Sequence, residues 1–199
     1  MLSQVLTDPL AFYFWVVGLL VAITFHEAAH AFVADRLGDL TPRYTGRLTL
    51  NPLAHLDPIG TLLILLAGFG WGKPVQFSPL SLRNPALGAA VISLAGPLTN
   101  FLIAGVLAML IRLDIAPIAL WSEIAIINIM LGIFNLIPLA PLDGEKVVAG
   151  LLPRHLHHTW MALQQYSLFL LIAFILAGGQ ILSGLIGFFY QVLTGLPLR

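Results

Sequence analysis

The sequence predicts an all-α polytopic membrane protein with about five to six transmembrane helices, a re-entrant segment and short membrane-associated strands. Hydrophobic residues make up 59% of the 199 residues, charged residues only 9%, and the mean hydropathy is +0.96. A soluble domain carries about a quarter charged residues. The apolar residues also form long blocks instead of the stripes of a globular core, which indicates that the protein folds in a bilayer.

The predicted spans begin with residues 10–37, an apolar run long enough to cross a hydrocarbon core of roughly 30 Å. Residues 59–69 are also apolar, but at 1.5 Å per residue they reach only ~20 Å, so we expect a re-entrant segment there. Turn-rich sequence flanks this segment, with strand candidates at 44–50 and 73–77. Four further apolar runs are candidate spans: residues 86–111, 118–137, 161–177 and 181–196.

Residues 1–199 are predicted to form a single integral membrane domain. Its core is expected at 10–144, and residues 145–199 are expected to add an interfacial segment and a C-terminal helical hairpin. The start, 1–9, has no lysine or arginine ahead of the apolar run, so a removable signal peptide is not expected.

The composition also limits the possible chemistry. Lysine plus arginine and aspartate plus glutamate both number nine, so no positive excess favours a nucleic-acid partner. Cysteine is absent from the sequence, which excludes disulfides and thiolate catalysis. Any metal ion must therefore be bound by nitrogen and oxygen atoms.

The pentapeptide from His26 to His30, His-Glu-Ala-Ala-His, lies in the first span. Its four-residue spacing places both imidazoles on one face of a helix, one turn apart, as zinc ligands require. Glu27 is placed to take a proton from the water that a zinc ion activates, as general base. Three ionisable groups within one turn of a membrane helix are costly to insert, which favours function over chance.

The third metal ligand has to come from elsewhere, and Asp143 is the leading candidate. Pro138 and Pro141 precede it and break the helix, which lets a carboxylate turn inward. Asp114 and Glu123 are rival acids, but they are expected on the far side of the membrane from the histidines. A plain turn is the alternative interpretation of the sequence around Asp143.

These motifs together resemble the site-2 protease family of intramembrane zinc metalloproteases, in its short form. The resemblance covers roughly residues 24–144 and includes three further stretches: Gly46–Pro52 with His55 and Asp57–Pro58, Gly72–Val75, and Ala95–Asn100. It implies Zn²⁺ on His26, His30 and Asp143, and cleavage of transmembrane or membrane-anchored protein substrates within or near the bilayer. Neither a PDZ module nor a nucleotide-binding CBS pair fits in this length, so no nucleotide partner is expected.

The topology follows if the three ligands bind one metal. The helix ends that carry them must then face the same side, which requires a single crossing between them, supplied by residues 86–111. Eight of the nine basic residues then lie on that side, and only Arg112 lies on the other. Positive charge marks the cytoplasmic face. We therefore expect a multi-pass protein of the cell (inner) membrane, with its active site toward the cytoplasm.

Three further polar residues are candidates for substrate or oxyanion contacts. Asn135 and Asn100 are amides in apolar helices, and either could donate hydrogen bonds to a substrate or instead join helices. His55, in the re-entrant approach, could contact the metal or a substrate, but an ordinary interfacial histidine is the alternative.

Two other functions use the same residues. A metal-ion transporter also has intramembrane histidine and aspartate, but it predicts metal flux and has no need of Glu27. A proteolytically silent zinc-binding membrane protein would keep zinc as a structural clasp. Structural zinc sites usually have four protein ligands, whereas the sequence offers three strong candidates.

Overall fold

The computed structural model describes residues 7–67 and 70–198, and these residues are mostly helical. The end of the predicted 59–69 segment and the start of the chain lie partly outside this range. The helices of the described part, in chain order, are α1 (Pro9–Arg36), α2 (Thr41–Tyr44), α3 (Pro58–Ala67), α4 (Pro85–Arg112), α5 (Ile118–Asn135), α6 (Asp143–Leu151), α7 (His157–Gln164), α8 (Ser167–Ala177) and α9 (Gly179–Thr194).

Helices α1 and α4 begin at side-chain caps. Asp8 accepts a hydrogen bond from the backbone N–H of Ala11 at 3.0 Å, and Asn84 accepts one from Leu87 at 3.3 Å. A proline follows each cap directly, where its missing N–H costs nothing. Both helices have 28 residues, about 42 Å at 1.5 Å per residue, which is ample for a bilayer.

Helices α1, α4 and α5 pack on one another and form the centre of the protein. The main buried cluster joins α4 and α5 to α9, which lies against them. Its members are Ala104, Leu107, Ile124, Ala125, Ile129, Ile186 and Tyr190. Large apolar side chains cover the outside as well, for example Leu102 at 68% exposure and Phe169 at 73%. An apolar exterior around a packed interior is typical of a protein surrounded by lipid.

The number of spans differs from the prediction. Only α1, α4 and α5 in the described part are long and apolar enough to cross, with α7 and α8 giving a fourth if counted as one span. The predicted span at 161–177 breaks near Gln165, where the two helices meet at a bend of 65°. Helix α9 has 16 residues and α3 has ten, so both are short for a crossing. A count of five to six spans is not confirmed, and the re-entrant path at 59–69 stays a prediction.

The predicted strands at 44–50 and 73–77 are wrong for the described residues. The only strand-like pairing recorded there is an isolated bridge between Leu56 and Gly72. The backbone N–H and C=O groups of a strand form hydrogen bonds with a neighbouring strand, whereas here side chains bond to some of these groups. Arg47 donates to the carbonyl oxygens of Ala54 and Lys73. The segment at 73–77 has no regular secondary structure and no ladder.

Asp39, just beyond the end of α1, bonds to Ser78, which follows the segment at 73–77. Its carboxylate accepts hydrogen bonds from the N–H and hydroxyl of Thr41, at 3.0 and 2.6 Å, and from the N–H of Ser78 at 2.6 Å. Burial raises the pKa of Asp39, but these hydrogen bonds outweigh burial and hold the pKa below its usual value. The loop that contains Ser78 is therefore held at the end of α1 by an ionised, buried carboxylate.

Candidate metal centre

The two histidines of α1 lie within its last three turns and face the interior of the helix cluster. Both side chains are buried. The spacing of four residues stacks them one turn apart, and their Nε2 atoms are 3.0 Å from each other. The sequence thus places the two nitrogens side by side before any tertiary contact is made.

Asp143 approaches the histidines from the first residue of α6. Its Oδ2 atom is 3.1 Å from Nε2 of His26 and 3.2 Å from Nε2 of His30. The turn between α5 and α6 is tight at the next residue. A Cβ atom on Gly144 would lie 2.3 and 2.5 Å from the carbonyl oxygens of Leu136 and Ile137, so a larger residue there would push α6 away. Glycine is what lets the carboxylate approach the histidines this closely.

The hydrogen bonds on the far side of each imidazole define its proton position. Nδ1 of His30 donates to the carbonyl oxygen of Ile92 at 2.7 Å, and Nδ1 of His26 donates to Oδ1 of Asn100 at 2.7 Å. Both Nε2 atoms are then left with lone pairs. Two nitrogen lone pairs and a carboxylate oxygen thus converge on one point, which a cation stabilises.

The donor set fits zinc. His26, His30 and Asp143 form the only group of three or more potential ligands found among the described residues, with ligand atoms within 4.8 Å of one another. Ligand atoms about 2.0–2.1 Å from a tetrahedral zinc ion are ~3.3 Å apart, close to the distances here. Two imidazoles and one carboxylate are typical of catalytic zinc sites, which keep a fourth position for water or substrate. Asp114 and Glu123 are not in this group.

Glu27 follows the first histidine directly and is not one of the three potential ligands. Its Oε2 atom accepts a hydrogen bond from the backbone N–H of Val75 at 2.9 Å. Val75 lies in the segment at 73–77, and the residue that follows this segment, Ser78, bonds to Asp39 just beyond the end of α1. The carboxylate next to the first histidine is therefore held by backbone from a distant part of the sequence.

The other predicted site residues occupy different places. Both N–H bonds of Asn100 are used, toward the carbonyl oxygen of Ala22 at 3.1 Å and toward Asn128 at 2.9 Å, so this geometry favours an orienting role over substrate contact. Asn135 donates to the carbonyl of Leu131 within its own helix. His55 is buried, with Nε2 on the carbonyl oxygen of Thr49, and is not part of the metal group.

Sequence reasoning missed two residues that shape this centre. A Cβ atom on Gly96 would lie 2.5 Å from Nε2 of His30 and 2.6 Å from Cε1 of His26, so this glycine leaves the space that the imidazoles occupy. Asn128 is buried and bonds to Asn100. An amide in an apolar helix was a usable signal for Asn128. Gly96 lies in the Ala95–Asn100 stretch that carries the family resemblance, but its spacing from the histidines is visible only in the structure.

Fold and site together define a class of protein, a multi-pass membrane protein with a buried group of side chains that fits a catalytic metal ion. Comparison with known proteins gives its family. A family model described as Peptidase family M50 matches residues 112–178, which include Asp143. YwhC of Bacillus subtilis (strain 168) is 40% identical over 153 residues, which cover 69% of this chain and 68% of that protein.

Two further relatives agree with this assignment. Rip2 of Mycobacterium tuberculosis is 31% identical over 183 residues, covering 84% of this chain and 70% of that protein. Zinc metalloprotease MJ0392 of Methanocaldococcus jannaschii is 28% identical over 139 residues, covering 68% of this chain and 33% of that protein. YwhC and Rip2 also carry zinc metalloprotease in their names. No solved structure matches the chain.

The chain belongs to peptidase family M50, the site-2 protease family, and is a membrane zinc metalloprotease. The resemblance drawn from the sequence motifs is thereby confirmed, as is Zn²⁺ as the cofactor.

Proposed function

We propose that this protein hydrolyses peptide bonds of transmembrane or membrane-anchored proteins within or near the bilayer, with zinc on His26, His30 and Asp143. The observation that supports the ligand set most directly is the convergence of their three donor atoms at 3.0 to 3.2 Å. These atoms come from α1 and α6, which the sequence separates by more than a hundred residues. A shared cation would explain why the three donor atoms meet.

When bound, zinc would supply Lewis-acid polarisation of the scissile carbonyl and of a water molecule. Glu27 takes a proton from that water as general base and later gives it to the leaving amine. The N–H of Val75 holds the Glu27 carboxylate beside the histidines. Its position next to the first ligand, without being a ligand itself, suits this proton transfer.

A substrate helix has to unwind before it is cut, because its carbonyl groups are hydrogen-bonded within the helix. The segment at 73–77 belongs to no sheet among the described residues, and an opened substrate could add to its backbone as a strand. A groove between α1 and α4 could hold the apolar part that remains helical. This groove has a cavity of about 350 Å³, and a second cavity of about 500 Å³ lies between α1 and residues 48–50; Ala29, Phe32 and Thr99 line both. Thr99 is next to Asn100, the residue bonded to His26.

The central experiment replaces Glu27 by glutamine, which keeps the size and a hydrogen-bonding group but removes the base. Zinc content should stay the same, and cleavage of a reporter membrane helix should fall at least ~10²–10⁴-fold, the usual worth of general-base assistance. Glu123→Gln is the matched control, because Glu123 lies in α5 outside the metal group. This variant should cleave the reporter at the wild-type rate.

The alternatives give different results in the same assay. A metal-ion transporter would keep its metal flux in the Glu27→Gln variant, and a proteolytically silent zinc protein would show no cleavage to lose. Undiminished cleavage by a zinc-loaded Glu27→Gln protein would refute the mechanism.

We also propose that the protein lies in the cell membrane with its metal centre toward the cytoplasm. In this topology eight of the nine basic residues lie on the same side of the membrane as the centre. Labelling of an introduced cysteine is unambiguous, because the sequence contains no other cysteine. Arg83→Cys and Arg154→Cys, both at exposed positions, should label from the cytoplasm, and Asp114→Cys from outside. Labelling of positions 83 and 154 from opposite sides would contradict the topology.

A further inference from the structure

Two buried side-chain amides form a chain of hydrogen bonds behind Nδ1 of His26. Oδ1 of Asn100 lies 2.7 Å from that nitrogen, and Nδ2 of Asn100 lies 2.9 Å from Oδ1 of Asn128. Nδ2 of Asn128 in turn lies 2.8 Å from the carbonyl oxygen of Ile124, one turn earlier in α5. Both amides are fully buried. A residue of α1 is thus linked through α4 to α5.

Backbone carbonyl oxygens fix the direction of every hydrogen bond in this chain, because they can only accept. The carbonyl of Ile124 requires the N–H of Asn128, which turns the oxygen of Asn128 toward Asn100. The carbonyl of Ala22, 3.1 Å from Nδ2 of Asn100, requires an N–H as well. The oxygen of Asn100 therefore faces His26, whose Nδ1 must carry the proton. The lone pair of that ring then lies on Nε2, which belongs to the metal group.

We propose that Asn128 is a positioning residue for the zinc centre, which holds Asn100 in the orientation that keeps His26 in its metal-binding tautomer. This inference rests on the zinc ligands proposed above. Without the oxygen of Asn128, one N–H of Asn100 loses its acceptor, and the bond to the carbonyl of Ala22 alone opposes a flip of the amide. A flipped Asn100 would present an N–H to His26, which favours a proton on Nε2, and such a ring has no lone pair for zinc.

A purely structural role for Asn128 makes a different prediction. A hydrogen bond that only joins helices stabilises the protein equally with and without metal, so its loss lowers thermal stability and leaves zinc affinity unchanged. Loss of an orienting partner of a metal-bound histidine typically lowers metal affinity about 10–100-fold. Zinc affinity therefore separates the two roles.

The test measures zinc affinity of the purified whole chain by competition with a chelator. Asn128→Leu keeps the shape of the side chain and removes both polar atoms, and we expect its zinc affinity to fall about 10–100-fold. Asn128→Asp, with its buried carboxyl group protonated toward the carbonyl of Ile124, keeps an oxygen toward Asn100 and should recover most of that loss. Ser122→Ala is the matched control, because it breaks a polar contact of α5 with Tyr190, 2.9 Å long, away from the site. It should lower thermal stability without changing zinc affinity.

Zinc affinity of Asn128→Leu equal to that of the wild type would overturn the inference, and so would an equal loss in Asn128→Asp. If Asn128→Leu does not fold, Asn128→Ser decides, since its hydroxyl is too short to reach Asn100 and the same loss is expected. Cobalt-loaded protein gives a second readout, because the visible absorption of Co²⁺ should change in Asn128→Leu and return in Asn128→Asp. Failure of the proposed ligand set would show separately, as full zinc affinity in His26→Ala.

Discussion

Replacing Gly96 by alanine tests the geometry of the centre with a single methyl group. That group would lie 2.5 Å from Nε2 of His30, and 2.6 Å from Cε1 of both His26 and His30. Ordinary contacts between such atoms are about 3.5 Å, so the imidazoles and α4 must separate by roughly 1 Å. Zinc ligand distances tolerate only about 0.2 Å of change. Both histidines are affected together, so relaxation of one ring cannot relieve the clash.

We therefore expect Gly96→Ala to lose zinc affinity by at least about 100-fold, the size of effect that a misplacement of 1 Å can have in an active site. Gly105→Ala is the control on the same helix, since its Cβ atom would meet nothing within 4 Å. It should keep wild-type zinc affinity and gain up to about 1 kcal/mol of stability, because alanine favours a helix over glycine. Chelator competition on the folded proteins measures both. Wild-type zinc affinity in Gly96→Ala would refute the packing of α4 against the two histidines.

Three other predictions follow from the structure. Asp143→Ala should lower zinc affinity by more than the roughly 10–100-fold that loss of an orienting group causes. Glu123→Ala should leave zinc affinity unchanged, and equal losses in the two variants would contradict the ligand set. Asp39→Asn should lower the free energy of unfolding by about 1.5–3 kcal/mol at neutral pH, because the native state depresses the pKa of Asp39. That difference should shrink as the pH falls through the native pKa, and thermal melts at several pH values will show whether it does. Leu98→Trp, in the groove beside α1, should lower reporter cleavage about tenfold with zinc retained, whereas Leu102→Trp, one turn away and outside both cavities, should cleave normally.

The features that the sequence predicted well depend on the spacing of residues along a helix and on the number of membrane crossings. The pairing of His26 with His30 requires only that residues four apart share a helix face. Asp143 could be chosen over Asp114 and Glu123 because helix ends and crossings limit which acids can reach the histidines. The long apolar runs gave α1, α4 and α5 to within a few residues of their observed ends.

The features that sequence missed depend on distances between elements. The segment at 73–77 has strand-like sequence, but whether it becomes a strand depends on a neighbour. The N–H of Val75 bonds instead to Glu27, and the N–H of Ser78, just after the segment, bonds to Asp39. The break near Gln165 lies in sequence that is apolar on one side and mixed on the other, and a window average extends across it.

Helix α4 explains why the centre is more than its ligands. It contributes no atom to the group of three, yet it supplies the carbonyl of Ile92 and the amide of Asn100, which set the proton positions of the two imidazoles. It also supplies the space at Gly96 in which the rings lie. A helix with larger residues there would leave the pentapeptide of α1 intact and still prevent the rings from meeting Asp143. The motif therefore fixes which atoms can bind a metal ion, and the packing of α4 fixes whether they can bind it together.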